Sequence, residues 1–254
     1  MTPRQMLNKV PEVTIFFWII KIMATTVGET AADFINFNLH LGLTNTSLIM
    51  GVLLAMALGV QIWLKRYVPA VYWIAVVLLS VVGTLITDNL SDNFGVALTT
   101  TTAVFSLALI ATFAGWYASE RTLSIHTIVT TRREVFYWTA ILFTFALGTA
   151  AGDLVAEGLK LGYALSAVIF AGVIAAIAAA HYYLKLDAVW AFWIAYVLTR
   201  PLGASCGDLL SQAQSAGGLG LGTTGTSALF LTIILALVVY LSLSKRDVIL
   251  ASEG

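Results

Sequence analysis

The sequence has few charged residues and almost no cysteine. Asp, Glu, Lys and Arg make up 10% of the 254 residues, whereas hydrophobic residues make up 59%. This balance is typical of integral membrane proteins. The single cysteine, Cys206, excludes an intrachain disulfide and a zinc site built from several thiolates. Thirteen basic and thirteen acidic residues cancel, so the net charge does not indicate a nucleic-acid partner.

The residues of common catalytic sites are also scarce. The three histidines, His40, His126 and His181, lie in predicted loops or helix ends, and no pair has metal-ligand spacing. No Ser, His and Asp spacing typical of a hydrolase is present. The sequence therefore predicts no catalytic residue, no resident cofactor and no zinc or copper site, and we do not expect an enzyme.

Long apolar segments dominate the chain instead. They lie at about 13–37, 47–64, 70–93, 102–118, 134–158, 164–184, 188–212 and 227–244. Most are close to the roughly 20 residues that cross a hydrocarbon core of ~30 Å. The sequence predicts an all-α membrane protein with eight transmembrane helices and the lipid bilayer as its surroundings.

Basic residues cluster at the termini and after even-numbered segments. They are Arg4, Lys9, Lys65, Arg66, Arg121, Arg132, Arg133, Lys185, Lys245 and Arg246. Loops after the odd-numbered segments carry one base, Lys160. The positive-inside rule therefore predicts that both termini lie in the cytoplasm.

A pattern of Trp, Gly and Asp occurs four times. Gly follows Trp by ten residues and Asp follows it by fifteen in "WIIKIMATTVGETAAD" from Trp18, "WIAVVLLSVVGTLITD" from Trp73, "WTAILFTFALGTAAGD" from Trp138 and "WIAYVLTRPLGASCGD" from Trp193. We predict four tandem two-helix hairpins, grouped as two four-helix halves (1–118 and 134–254) around a polar connector (119–133). Units with an even number of helices keep one orientation, so the predicted pseudo-symmetry axis follows the membrane normal.

The spacing of the pattern predicts where each residue type lies. The tryptophans are interpreted as interfacial anchors, and the glycines as points where helices pack closely. The glycines would lie about 15 Å below the tryptophans, and the aspartates about 7 Å beyond them. Four aspartates at one depth around one axis form a predicted carboxylate ring: Asp33, Asp88, Asp153 and Asp208.

Further polar residues extend this stripe at a spacing of four residues. Glu29, Asp92 and Glu157 are predicted ion-binding or proton-coupling groups. The predicted supporting or gating residues are Lys21, Arg200, Thr84, Thr149 and Gln212. Acids inside a membrane are costly unless they are paired or bind ions. The four ring aspartates are predicted to bind a hard cation such as Mn²⁺, Mg²⁺ or Ca²⁺, which prefers oxygen ligands. The alternative is that some acids pair with Lys21, Lys160 and Arg200 to hold the helices together.

Three stretches carry a resemblance to known proteins. "KVPEVTIFFWIIKIMATTVGETAADF", "GTLITDNLSDNFG" and "GTAAGDLVAEG" resemble an uncharacterised family of bacterial inner-membrane proteins, known in general terms as membrane or membrane-anchored proteins. A weaker similarity links "AAGDLVAEG" to repeat-built divalent-cation exchangers. The first resemblance implies little chemistry, and the second implies cation exchange at acid-rich helices.

These patterns together favour a secondary transporter of a hard cation. We expect the ring to bind metal and protons alternately, so that the two fluxes are coupled. A cation channel and a membrane-embedded structural or enzymatic protein remain alternatives. The sequence leaves the identity of the ion, the direction of transport and the formation of an oligomer open.

Overall fold

The computed structural model describes residues 8–38 and 41–248 of the chain. Arg4 and His40 lie outside the described residues. Within them the chain forms eight long α-helices and no β-strand, which confirms the predicted all-α fold. The helices are α1 (Ile15–Asp33), α2 (Gly42–Trp63), α3 (Pro69–Asp88), α4 (Leu98–Glu120), α5 (Thr131–Asp153), α6 (Gly162–Leu184), α7 (Ala188–Ser211) and α8 (Gly222–Ser244).

Three even-numbered helices begin four or five residues earlier than their apolar segments predict. Their first turns are rich in Thr and Gly, which lower the hydropathy without breaking the helix. The Thr226 hydroxyl, for example, donates a hydrogen bond to the Gly222 carbonyl, 2.9 Å away, and Thr101 bonds Ala97 in the same way at 3.3 Å. A hydroxyl that donates a hydrogen bond to a carbonyl of its own helix can lie in an apolar environment at little cost in free energy. A hydropathy count therefore misses the true start of these helices.

Three of the odd-numbered helices continue beyond their repeated aspartate as a short π-helix. These wider turns span Phe34–Asn38, Asn89–Asn93 and Leu154–Gly158. In the described chain no such turn follows Asp208, and α7 ends at Ser211. A π turn commonly marks a functional site. Here it falls directly after three members of the predicted ring.

The four odd-numbered helices form a closed inner ring. Helix α1 packs on α3, α3 on α5, α5 on α7, and α7 on α1. Each even-numbered helix packs outside this ring, against the odd helix of the following repeat: α2 on α3, α4 on α5, α6 on α7 and α8 on α1. The two helices of one sequence repeat are therefore not the pair that packs together, and the predicted hairpin within each repeat is wrong. The two predicted four-helix halves meet along α3–α5, α4–α5, α1–α7 and α1–α8.

The repeated glycines lie where neighbouring inner helices touch. A Cβ added at Gly28, Gly83, Gly148 or Gly203 would collide with the next helix around the ring. The residues struck are equivalent in the repeat: Ser80, Phe145, Arg200 and Thr25. The interpretation of the glycines as close-packing points is confirmed, and α7 closes on α1 through the same contact that joins the other helices.

The repeated tryptophans form part of a packed aromatic layer, not an interfacial belt. Trp73, Trp138 and Trp193 are buried. Each repeated tryptophan contacts the aromatic residue that precedes the tryptophan of the repeat before it. These pairs are Phe17–Trp73, Tyr72–Trp138, Tyr137–Trp193 and Phe192–Trp18, with ring centroids 5.4–6.2 Å apart. The anchor interpretation is wrong for the three buried tryptophans, because contacts between repeats bury their rings.

Seven of the described helices are long and apolar enough to cross a membrane. Helix α7, with 24 residues, is not among them. Arg200, Pro201 and Asp208 lower its mean hydropathy. The helix that departs from the apolar pattern thus belongs to the inner ring, where its polar residues face other helices.

The N-terminal segment crosses one end of the bundle. The Lys9 ammonium lies 2.6 Å from the Glu134 carboxylate and 2.9 Å from the Ile62 carbonyl. The Gln61 amide nitrogen donates to the backbone carbonyl of Lys9 and to the Glu134 carboxylate. The backbone N–H of Glu12 bonds the carbonyl of Asp247, beyond α8. We call this end, which holds residues 8–14 and 245–248, the terminal end. The opposite end, where the repeated aspartates lie, is the acidic end.

We predict that Gly83→Ala destabilises the protein by about 1–3 kcal/mol, the usual cost of overpacking. The new Cβ would sit 2.6 Å from the Cβ of Phe145 on α5. The matched control is Gly172→Ala in α6, where a Cβ meets nothing within 4 Å, and a gain of about 0.5–1 kcal/mol is expected from helix propensity. Thermal unfolding in detergent measures both. Equal effects would mean that the inner helices do not depend on this close approach.

Candidate functional site

Arg200 reaches all three other helices of the inner ring. Its side chain is fully buried. One terminal nitrogen, Nη1, donates to the Thr25 carbonyl of α1 at 2.6 Å, and Nη2 lies 3.0 Å from the Glu29 carboxylate on the same helix. Nη2 also donates to the Thr149 hydroxyl of α5 at 2.8 Å and to the Thr84 hydroxyl of α3. A single guanidinium therefore connects four helices at the centre of the bundle.

The partners of Arg200 occupy one position of the repeat. Glu29, Thr84 and Thr149 each follow the repeated glycine by one residue, and α7 has Ala204 there. These side chains therefore lie at the same depth on their helices. Thr84, Thr149 and Arg200 are three of the residues for which the sequence predicts a supporting role, and that role stays a prediction. We call Glu29, Thr84, Thr149 and Arg200 the polar centre.

Glu29 is the one acid in an ion pair with Arg200 among the described residues. Both side chains are buried, and the Thr84 hydroxyl gives the carboxylate a further hydrogen bond at 3.4 Å. Removing one partner of such a pair leaves an uncompensated charge in a site with little water. The alternative that an acid pairs with Arg200 to hold helices together therefore applies to Glu29.

The four repeated aspartates lie one helical turn beyond the polar centre. Asp208 is buried, and Asp33, Asp88 and Asp153 are half-buried. Going around the ring, Asp88 interacts electrostatically with Asp33, Asp153 with Asp88, and Asp208 with both Asp153 and Asp33. Each aspartate also interacts with Glu29. The predicted carboxylates thus lie on the four inner helices and interact with one another across the bundle, and we call them the aspartate ring.

The aspartate ring is wider than a direct metal site. Within the described residues, no three Asp, Glu, His or Cys side chains lie close enough to hold one metal ion. Carboxylates at this separation can still attract a cation that keeps part of its water shell, as Mg²⁺ usually does. The assignment of the four aspartates as metal ligands stays a prediction.

The remaining predicted acids lie outside the ring, at the acidic end. Asp92 and Glu157 are exposed and belong to the π turns. Ser91 donates to Asp92 at 2.8 Å, and the Tyr163 phenol donates to Glu157 at 3.1 Å. Gln212 is half-buried where α7 ends. The structure thus separates the predicted acids into three levels along the bundle. Glu29 lies at the polar centre, the aspartate ring lies one turn beyond it, and Asp92 and Glu157 lie furthest out, at a level that we call the mouth.

Lys21 lies on the other side of Arg200 and does not pair with an acid in the described structure. Its side chain is fully buried, and its ammonium lies 4.1 Å from the Phe145 ring centroid and 4.2 Å from that of Tyr196. No described hydrogen-bond acceptor contacts this ammonium. The alternative in which Lys21 pairs with an acid is therefore wrong for this structure, because aromatic rings surround the charge.

The axis is packed from Lys21 to the terminal end. Below Lys21 lies the aromatic layer, in which the fully buried Tyr72 and Tyr137 share a hydrogen bond of 2.5 Å between their hydroxyls. The polar residues along the axis, from the acids at the acidic end through the aspartate ring to the polar centre, are therefore exposed at the acidic end. Packed aromatic side chains separate them from the terminal end. A separate cavity of about 490 Å³ lies off the axis, between α1, α6, α7 and the connector, and includes His126 and His181 in its mostly apolar lining.

The sequence analysis missed the aromatic layer and the central position of Arg200. A signal for both was present. Aligning the four repeats places Phe17, Tyr72, Tyr137 and Phe192 at one position, and it places Arg200 at the position of Thr25, Ser80 and Phe145. A large cation replacing smaller side chains at a buried repeat position indicates that it crosses the axis toward the other helices.

We predict that Arg200→Met destabilises the protein by about 3–5 kcal/mol, because Glu29 is left buried without its partner. Combining it with Glu29→Gln should recover part of this loss, since no charge is then unpaired. Arg132→Met is the control, because that side chain is 68% exposed, and it should leave unfolding nearly unchanged. Unfolding of the single and double variants in detergent gives the comparison. A double variant as unstable as Arg200→Met would show that the ion pair is not what the fold depends on.

Comparison with known proteins gives a family but no activity. No curated protein and no solved structure matches the chain, so the similarity to divalent-cation exchangers is not shown. A family described as "Repeat of Unknown Function (DUF347)" matches residues 16–67, 71–122, 136–186 and 191–247. These four matches correspond to the four helix pairs of the sequence repeat and cover most of the chain, which belongs to this family of repeat-built proteins.

Proposed function

We propose that the protein is an integral membrane transporter that exchanges a hard cation, with Mn²⁺ as the first candidate, against protons. The observation that carries the proposal is the aspartate ring, one helical turn beyond the buried Glu29–Arg200 pair. The ring lies on a polar axis exposed at one end.

A membrane location accounts for the outer surface of the bundle. The even-numbered helices expose large apolar side chains that water would not favour as one continuous surface. They include Leu48, Val52 and Met56 on α2, Leu107 and Ile110 on α4, Val168 on α6 and Leu235 on α8. In lipid this surface is stable, whereas the polar groups are enclosed by the inner ring. The proposed pseudo-symmetry axis runs through that ring, along the membrane normal.

The distribution of charge supports the proposed orientation. Described basic residues at the terminal end include Lys65, Arg66, Arg133 and Lys185, whereas the acidic end has Lys160 as its one described base. By the positive-inside rule the terminal end faces the cytoplasm of a bacterial inner membrane. The aspartate ring then opens toward the outside.

The acidic end is suited to a hard cation. Four ring aspartates, with Asp92 and Glu157 outside them, give a negative funnel that raises the local concentration of cations. Carboxylate, hydroxyl and water oxygens are the ligands that Mn²⁺, Mg²⁺ and Ca²⁺ prefer. Because the carboxylates are too far apart to share a bare ion, we propose that the cation enters partly hydrated and draws them inward.

The closed terminal end favours a transporter over a channel. A cation on the axis would meet the Arg200 guanidinium, then Lys21, and then the aromatic layer. Two fixed positive groups and packed rings oppose a continuous cation path, so movement of the inner helices is required for passage. Glu29 is the group for which the entering cation competes with Arg200.

Proton exchange follows from crowding of like charges. The four ring carboxylates are half-buried or buried and interact electrostatically, so without a cation they cannot all stay ionised at low cost, and protons replace the cation when it leaves. Cation release and proton uptake are then one event, which is the minimum requirement for antiport.

We predict that Asp88→Asn and Asp153→Asn weaken the coupling between metal and proton flux in proteoliposomes. The neutral amide removes one charge and one proton site from the ring. The wild type is first tested with Mn²⁺, Mg²⁺, Ca²⁺, Na⁺ and K⁺, with and without a pH gradient. A metal-sensitive and a pH-sensitive dye then report both fluxes under clamped voltage.

The matched control for these substitutions is Asp187→Asn. Asp187 caps the first turn of α7 at the terminal end, 3.0 Å from the Val189 N–H, and Asn is an equally good cap, so transport should be unchanged. Metal movement without a proton signal in the wild type would favour a channel or uniporter. No flux of any tested ion would remove the proposal.

We predict a different effect for the acids at the mouth. Asp92→Asn and Glu157→Gln should change the pH dependence or the ion preference of transport more than they change stability, because both residues are exposed. Initial rates for the same ions between pH values on either side of neutrality test this. Unaltered pH profiles and ion preferences in both variants would show that these acids have no part in the site.

A further inference from the structure

We propose that the off-axis cavity binds a small aromatic molecule that carries a hydrogen-bond donor, such as a phenol. The cavity lies between α1, α6, α7 and the connector, and its volume is about 490 Å³. This size, together with a mostly apolar lining and a few polar groups, is typical of a small-molecule site. The inference does not rest on the proposed antiport, because the cavity is separate from the polar centre and the aspartate ring.

A comparison of the even-numbered helices shows why the cavity exists. The four helices align on a buried hydroxyl residue in their first turn: Thr46, Thr101, Ser166 and Thr226. Fifteen residues later, three of them have a buried side chain: Gln61, Trp116 and Leu241. Helix α6 instead has His181, which is half-buried, and one turn before it the small and exposed Ala178. Helix α6 therefore leaves open a space that the other even-numbered helices fill.

Helix α4 shows which chemistry fits this space. At the positions of Ala178 and His181 it has Phe113 and Trp116, whose ring centroids lie 4.9 Å and 5.8 Å from that of Trp193. These two rings help to bury Trp193, the repeated tryptophan of α7. The repeated tryptophan that lines the cavity, Trp18, is only half-buried. An aromatic ligand would cover Trp18 as the α4 side chains cover Trp193, and such ring pairs are stabilising beyond the area that they bury.

The connector between α4 and α5 forms one wall of the cavity. It is longer than the links between α2 and α3 and between α6 and α7 at the same end of the bundle. It is held against α7, because the Trp193 indole N–H donates to the Leu123 carbonyl at 2.9 Å. Ile125 is buried, and Ser124 and His126 beside it add polar groups to the lining. The wall therefore comes from a segment that the shorter links at this end do not provide.

His181 supplies a hydrogen-bond acceptor in the lining. Its Nδ1 lies 2.8 Å from the Leu186 carbonyl. A carbonyl oxygen only accepts, so Nδ1 carries a proton, and in a neutral imidazole Nε2 is then the acceptor. An O–H or N–H group on the ligand satisfies this nitrogen, whereas the acyl chain of a lipid would leave it without a partner. The mostly apolar lining also disfavours a ligand with a full charge.

The test measures the binding of β-naphthol, which has two fused aromatic rings and one hydroxyl, to the full chain in lipid nanodiscs. Equilibrium dialysis against empty nanodiscs corrects for the β-naphthol that dissolves in lipid. We expect one saturable site in the wild type. The methyl ether of β-naphthol, which has the same rings but no donor, should bind about tenfold more weakly, since the His181 acceptor is then buried without a partner.

Two variants copy residues that other repeats have at these positions. Ala178→Phe gives α6 the side chain that α4 has, and it should abolish saturable binding by filling the cavity. His181→Leu gives α6 the side chain that α8 has, and it should remove the preference for β-naphthol over its methyl ether. The matched control is Ala176→Phe, because Ala176 is exposed and is not part of the cavity lining, and this variant should bind as the wild type does.

Three results would overturn the proposal: no saturable binding to the wild type, equal affinity of the wild type for the two compounds, or saturable binding that persists in Ala178→Phe with normal thermal unfolding. If Ala178→Phe does not fold, His181→Leu decides, since a lost preference supports the site and an unchanged preference excludes it. Native mass spectrometry tests the other occupant. A lipid retained by the wild type and lost from Ala178→Phe, with no saturable binding of β-naphthol, would assign the cavity to an acyl chain instead.

Discussion

The contact on which the rest of the structure depends is the pairing of one buried guanidinium with one buried carboxylate. Arg200 extends from α7 across the axis, and Glu29 on α1 accepts it, while the Thr84 and Thr149 hydroxyls supply the remaining acceptors. Taking both charges out of water is costly, so the arrangement is stable only if all four inner helices are in place. The glycine contacts allow this, because a side chain at any of them would hold two of these helices apart.

The fold separates rigid and adaptable parts along one axis. The terminal end is filled by the aromatic layer and fastened by the pairing of Lys9 with Glu134, whereas the acidic end has π turns, half-buried carboxylates and exposed acids. Packed aromatic rings resist change, and a ring of like charges favours whatever neutralises it. In the proposed exchange, a cation or protons arriving at the acidic end would act on this part of the structure and not on the packed aromatic layer.

The four repeats build a closed ring but do not make it uniform. Three of the repeats contribute small or apolar side chains where the fourth contributes Arg200, and Lys21 similarly stands where the other repeats have Val76, Ile141 and Tyr196. Common contacts between successive helices keep the scaffold regular, and single substitutions at equivalent positions place a charge on the axis. A fold built from four similar repeats can therefore hold an asymmetric site, in which the basic residues lie on one side of the polar centre and the acidic residues on the other.

The sequence by itself determined the eight helices, the four repeats and the aspartates that come together, because hydropathy and spacing along one helix are local properties. It also determined that the glycines are points of close packing. The tertiary structure alone decided that each even helix packs on the following repeat, that the tryptophans are buried, and that Arg200 holds Glu29 while Lys21 lies between aromatic rings. Each of these depends on which surfaces of distant helices meet. Spacing along the chain gives the depth of a side chain, but only the closure of the ring determines its partner.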